Sequence, residues 1–208
     1  MKTNLKAVVF ILAALATTLT GCLVVSVYPF YNDKDTVAEP GLLGNWSKVG
    51  TPSEKWVFAA QTGTAYRLTE TTEHKTYVVT AQPFRLKGQL FLDVVSPKVS
   101  GDDLPPHVPT HMVMRVPQLA PTLRLVPLDY EWLDKLLERE PDTLRHHAVL
   151  TGGASDDKFT VLTANTAELQ LFLLRHLDTT NAWEDPIELK REPATPVASS
   201  EAKPAAKP

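Results

Sequence analysis

From about Gly44, with a break over the Pro-rich loop Ser96–Pro109, apolar and polar residues alternate with a period of two, which predicts strands half-buried on one face. Glu54 to Phe58 is one such run. Ala65 to Thr71 is a second, with Tyr66 and Leu68 on one face and Arg67 and Thr69 on the other. His74 to Thr80, rich in β-branched residues, and Phe84 to Leu86 lead into a Lys87-Gly88 turn, and Gln89 to Val95 returns from it. That spacing predicts a tight antiparallel hairpin. His111 to Val116 and Thr122 to Leu128 are further strands. The period then changes: Trp132, Leu133, Leu136 and Leu137 have helical spacing, Asp129 is a ready N-cap and Pro141 a stop. Asp142 to His147 reads as a short further turn and Lys158 to Leu162 as a strand. Asn165 with Glu168 three residues on forms a capping box before a second helix, in which Leu169, Leu171, Phe172, Leu173, Leu174 and Leu177 predict deep burial. Pro186 to Arg191 is a last strand. The expected fold is mainly β: an antiparallel meander, closed as a barrel or strongly curled, with two packed α-helices.

The chain ends are of another character. Lys2 and Lys6 precede Ala7 to Leu19, an uncharged apolar run with small residues after it. This is the pattern of a secretory signal peptide, and it is short of the roughly 20 residues that span a bilayer core. The chain's single cysteine, Cys22, follows directly. Leu19-Thr20-Gly21-Cys22 resembles the lipobox of bacterial lipoproteins. The resemblance implies cleavage between Gly21 and Cys22, acylation of Cys22, and attachment to a membrane through two or three chains. One chain binds only marginally; two or more hold stably. Leu23 rather than Asp after the cysteine implies, by the same resemblance, an outer-membrane destination facing the periplasm. The expected organisation is a signal over 1–21, a lipid-anchored tether over 22–41 that ends by packing on the body, one β-rich domain over 42–191, and a disordered tail over 192–208, where EPATPVASSEAKPAAKP offers no large apolar side chain after Val197.

Charge narrows the partners. The chain has 21 Lys+Arg against 24 Asp+Glu, and loss of the signal removes two lysines and no acid. Mild acidity without a basic, aromatic-interleaved patch argues against nucleic acid. With its thiol acylated the mature chain has no disulfide to lean on, so its core must hold it together. His107 and His111 flank a Pro-containing segment, and His146 and His147 are adjacent. Neither pair has metal-ligand spacing with further donors, so no metal or cofactor is expected. Asp102-Asp103 and Asp156-Asp157 sit in turn-like sequence. Serine-hydrolase elbows, phosphate loops and dinucleotide fingerprints are absent, and no enzymatic activity is expected.

Gly44-Asn45-Trp46, after Leu42-Leu43, resembles the Gly-x-Trp that opens lipocalin and lipocalin-like barrels. The resemblance implies a Trp46 that closes one barrel end against an Arg on a late strand, for which Arg191 is the candidate. The aromatic SVYPFY segment before GLLGNW is also similar to a broad group of bacterial lipoproteins, which brings no activity with it. The functional expectation is a non-catalytic, membrane-anchored module for a lipid or small apolar ligand, with the Ser96–Pro109 loop at the mouth of the barrel. The alternative is an accessory lipoprotein that docks an envelope protein complex, for which Tyr130 and Trp132 are a possible partner surface.

Overall fold

A computed structural model describes residues 24–95, 109–150 and 158–193. The signal, Gly21 and Cys22, the Pro-rich loop with His107 and Asp102-Asp103, Asp156-Asp157 and the tail from 194 lie outside these residues. In chain order the strands are β1 (Val25–Ser26), β2 (Gly44–Lys48), β3 (Thr51–Ala60), β4 (Tyr66–Thr71), β5 (Thr76–Leu86), β6 (Gln89–Val95), β7 (His111–Gln118), β8 (Thr122–Pro127), β9 (His146–Leu150), β10 (Lys158–Leu162) and β11 (Ile187–Arg191). Two helices, α1 (Tyr130–Arg139) and α2 (Thr166–Arg175), separate β8 from β11.

Strands β2 to β8 and β11 form a closed antiparallel barrel of eight strands. The seam is closed by β6 against β7, from Phe91↔Arg115 to Val95↔His111. After both helices the chain returns as β11, between β8 and β2. Closure satisfies every edge of the meander and removes a template for aggregation. Eight strands leave an interior just wide enough for side chains. Trp46, Trp56, Phe58, Tyr66, Leu68, Leu90, Leu92, Leu123, Leu125 and Leu189 fill it as one cluster.

A second core lies on the barrel's outside. Phe84, Leu86, Phe91 and Val113 point outward from β5, β6 and β7 and are covered by Leu133, Leu136 and Leu137 of α1 and Leu169, Phe172 and Leu173 of α2. This is why these strands are apolar on both faces. The helices start at the expected caps: Asp129 accepts the Trp132 N–H at 2.6 Å, and Asn165 and Glu168 form the reciprocal box. Burial of α2 is less complete than its composition predicts. Leu171 is 65 % exposed because it lies on the face away from the barrel.

The segment before Gly44 is also part of the body. Val24 is buried, β1 pairs parallel to β10 and antiparallel to β7, and Phe30 and Leu42 have no exposed surface. Among the described residues the chain is thus already packed on the body at Val24, within the segment 22–41 read as a tether that ends by packing. Of the expected turn over 142–147, only Asp142 and Thr143 lie in a 3-10 turn, Pro141–Thr143; His146–Leu150 is a strand because β10 supplies its partner.

Candidate functional site

One barrel end is sealed by residues from both ends of the domain. The 3-10 turn Pro40–Leu42 crosses it, and Leu42 O accepts the Trp46 indole N–H at 2.8 Å. The Arg191 guanidinium lies 4.2 Å from the Trp46 ring centroid and donates to the carbonyls of Leu43 and Gly41. Gly44 makes this possible. Its φ is +122°, and a Cβ there would stand 2.8 Å from an Arg191 nitrogen. No other residue provides both the backbone and the space. Gly44, Trp46 and Arg191 thus meet at one point, beside the Lys55–Glu192 ion pair that ties the end of β11 to β3.

The opposite end is built differently. The interior wall there is only half-buried, at Val79, Met112, Met114 and Ile187. Lys48, Glu54 and Glu70 carry charge on the same inward face, since Lys48 lies opposite Leu189 and Glu70 opposite Trp56. Lys48 is engaged by Glu54 at 2.8 Å. Burial, then the Glu54 charge, push the Glu70 carboxyl above its usual range, while Lys48 pulls the other way. Trp56 is 4 % exposed, and its indole N–H has no partner among the described residues. A buried donor without a partner is costly and is normally met by water or ligand. The arrangement offers a half-buried apolar wall above a filled interior, with one indole donor and one carboxylate that have no hydrogen-bond partner among the described residues.

Outside the barrel, Asp93 is 1 % exposed. Its Oδ2 accepts the Phe30 N–H at 2.8 Å and its Oδ1 meets His111 Nδ1 at 2.7 Å. The pair clasps the N-terminal segment to β6. The sequence signal for this clasp is a lone carboxylate in the middle of the apolar run LFLDVV. His146 and His147 lie on β9, His146 bonded to the Leu144 carbonyl at 2.9 Å. Among the described residues no three His, Cys, Asp or Glu converge as metal ligands, and no helix is long and apolar enough to cross a membrane. Tyr130 and Trp132 are half-buried rather than free-standing. Trp132 stacks edge-on against His176 at 5.0 Å and tilts on Phe172 at 6.1 Å. Burial and Arg175 hold the His176 ring below its usual pKa.

Among the described residues one hollow, of about 240 Å³, lies outside the barrel between Asp142–Arg145 and the outer face of α2, with Leu144 and Phe172 in its lining and Leu171 and Arg175 at its side. Another, of about 210 Å³, lies at the Trp46 end of the barrel beside the Lys87-Gly88 turn, with inward-facing Leu90 and Val116 in its lining.

Fold and end geometry together define a small closed antiparallel barrel with a helical annex, lipocalin-like in general shape. Comparison with known proteins finds no matching family model, curated protein or solved structure.

Proposed function

We propose that this protein is a lipid-anchored, non-catalytic binding module of the bacterial envelope, attached through acylated Cys22 to the outer membrane and facing the periplasm. Its barrel takes a lipid or small apolar ligand at the end opposite Trp46 and Arg191. The observation that carries this reading is the graded burial of the inward wall: Leu123, Leu125 and Leu189 are fully buried, whereas Val79, Met112, Met114 and Ile187 are open to contact. The filled interior restricts the ligand to the mouth, unless Trp56 moves aside. Val24, two residues after Cys22, is already packed in the body, so at most about 7 Å of chain separates an acylated cysteine from it. The module would ride flush on the membrane.

Native mass spectrometry of the protein released gently from its own envelope tests the ligand. A reproducible added mass of lipid size, beyond the acyl groups on Cys22, is the expected result; only the acylated mass rejects the reading. The anchor has its own test. Cys22→Ser is expected to abolish acylation and leave precursor or soluble protein. A variant that still carries acyl chains and sediments with membranes overturns the anchor.

A second reading is an accessory lipoprotein docking an envelope complex. Its support is the groove beside α2, where Leu171 is exposed and Arg175 forms no ion pair among the described residues. Tyr130 and Trp132 contribute less to it, being packed against the helical layer.

A further inference from the structure

We propose that the open barrel end binds an organic cation, an alkylated ammonium head group seated over the Glu70 carboxylate between Trp56 and Tyr77. The inference rests on the reading of the barrel as a binding module and names the chemistry of its ligand.

The strand register places five side chains in one continuous cross-strand row on the inward face: Arg191, Trp46, Trp56, Glu70 and Tyr77, each directly opposite the next. Because the strands are staggered around the barrel, the row begins at the sealed end and finishes at the open rim, where Tyr77 is 48 % exposed. Directly opposed side chains have Cβ atoms about 4.5–5.5 Å apart. Trp56 and Tyr77 therefore flank Glu70 on either side, with roughly 10 Å, two strand spacings, between their backbones. A cation over Glu70 lies within reach of both rings, whose faces attract positive charge to about 6 Å.

The two ends of this row differ in one respect. At the sealed end the protein supplies its own cation: Arg191 covers Trp46. At the open end the aromatics and the acid are present, and the cation on that face, Lys48, covers neither ring among the described residues: it is bound to Glu54 at 2.8 Å and acts on Glu70 only through its charge. Among the described residues Glu70 forms neither an ion pair nor a hydrogen bond, and the nearby Lys48 is held by Glu54. The Trp56 N–H, in a side chain more than nine-tenths buried and without a partner among the described residues, is a second, independent donor that an acceptor near the cation, such as a phosphate or ester oxygen, would fit. A hard metal cation is a poor fit, since calcium takes six to eight oxygens and this row offers one free carboxylate. Half-buried Val79, Met112 and Ile187 alongside suit an alkyl chain carried by the same molecule.

The test uses the mature chain from residue 22 onward, produced without acyl groups, and titrates it with octyltrimethylammonium, octanol, octanoate and tetramethylammonium below their micellar concentrations, read by tryptophan fluorescence and calorimetry. Octyltrimethylammonium is expected to bind about tenfold tighter than octanol and to exclude octanoate, in line with a desolvated cation–π contact. Glu70→Gln is expected to erase that difference and leave octanol binding unchanged, which also shows that the variant is folded. Tyr77→Ala, at an exposed rim position, is expected to weaken only the cationic ligands, by several-fold. Equal binding of the cation and octanol, insensitive to Glu70→Gln, overturns this proposal and leaves the binding module standing. Tetramethylammonium binding without octanol binding supports the cation site and rejects an apolar ligand. Binding of none of the four overturns both.

Discussion

Phe91→Ala will lower the stability of the folded protein by about 3–5 kcal/mol, the usual cost of emptying a large aromatic site in a packed core. Phe91 stands on β6 between two inward residues, Leu90 and Leu92, and so points out of the barrel. It has no exposed surface, stacks on Phe84 at 5.4 Å and 20°, and tilts on Trp183 at 6.2 Å. Those contacts join three parts of the chain: the hairpin of β5 and β6, the segment after α2, and through the same cluster both helices. Truncation leaves a cavity that cannot collapse, because one wall is a hydrogen-bonded sheet. Against a total stability of order 5–15 kcal/mol, the loss is large. Denaturant unfolding checks it: the midpoint should fall steeply with an unchanged slope if barrel and helices unfold together. A loss below about 1.5 kcal/mol, or a split transition, would mean that the helical layer is not integral to the fold.

Trp46→Ala should cost a similar amount, about 3–5 kcal/mol, by a different route. Trp46 is 1 % exposed and fills the barrel next to the sealed end. Its removal opens a void, strands the Leu42 carbonyl, and takes away the surface on which Arg191 rests. The coupling is separable. Arg191→Ala alone loses the stacked cation and two donors to backbone carbonyls at an exposed site, so it should cost less. In the double variant the losses should fall short of additive by about 0.5–2 kcal/mol, the range of a cation–π contact. Strict additivity would show that the stacking is geometric and energetically idle.

Much of the barrel's composition could be read locally. Tyr66 and Leu68 alternate with Arg67 and Thr69 because a strand turns one side chain in two to the core, and the structure buries the first pair. The β5–β6 hairpin follows from Lys87-Gly88, where both residues adopt positive φ. The helix starts at Asp129 and Asn165 follow from short-range bonds to residues three positions on. The site was less legible. Glu54, Glu70 and Lys48 look like ordinary polar positions of half-buried strands, and Tyr77 like an exposed strand aromatic, because nothing within one strand says which residue of another will face it.

The sequence by itself therefore determined the kind of protein: a meander of short strands with two capped helices, a single cysteine in a lipobox-like setting, and a Gly-x-Trp start with an arginine in the last strand. These rest on periods and contacts spanning a few residues. Only the tertiary structure decided that the sheet closes, that Val24 and Phe30 belong to the core, that Asp93 clasps Phe30 and His111, and that Glu70 stands between Trp56 and Tyr77. Each of these depends on strand register, and a slip of one residue would send the opposed side chains to the other face. Register is set by the packing of the whole barrel, which joins Trp46 to Arg191 across most of the chain and is written in no single segment.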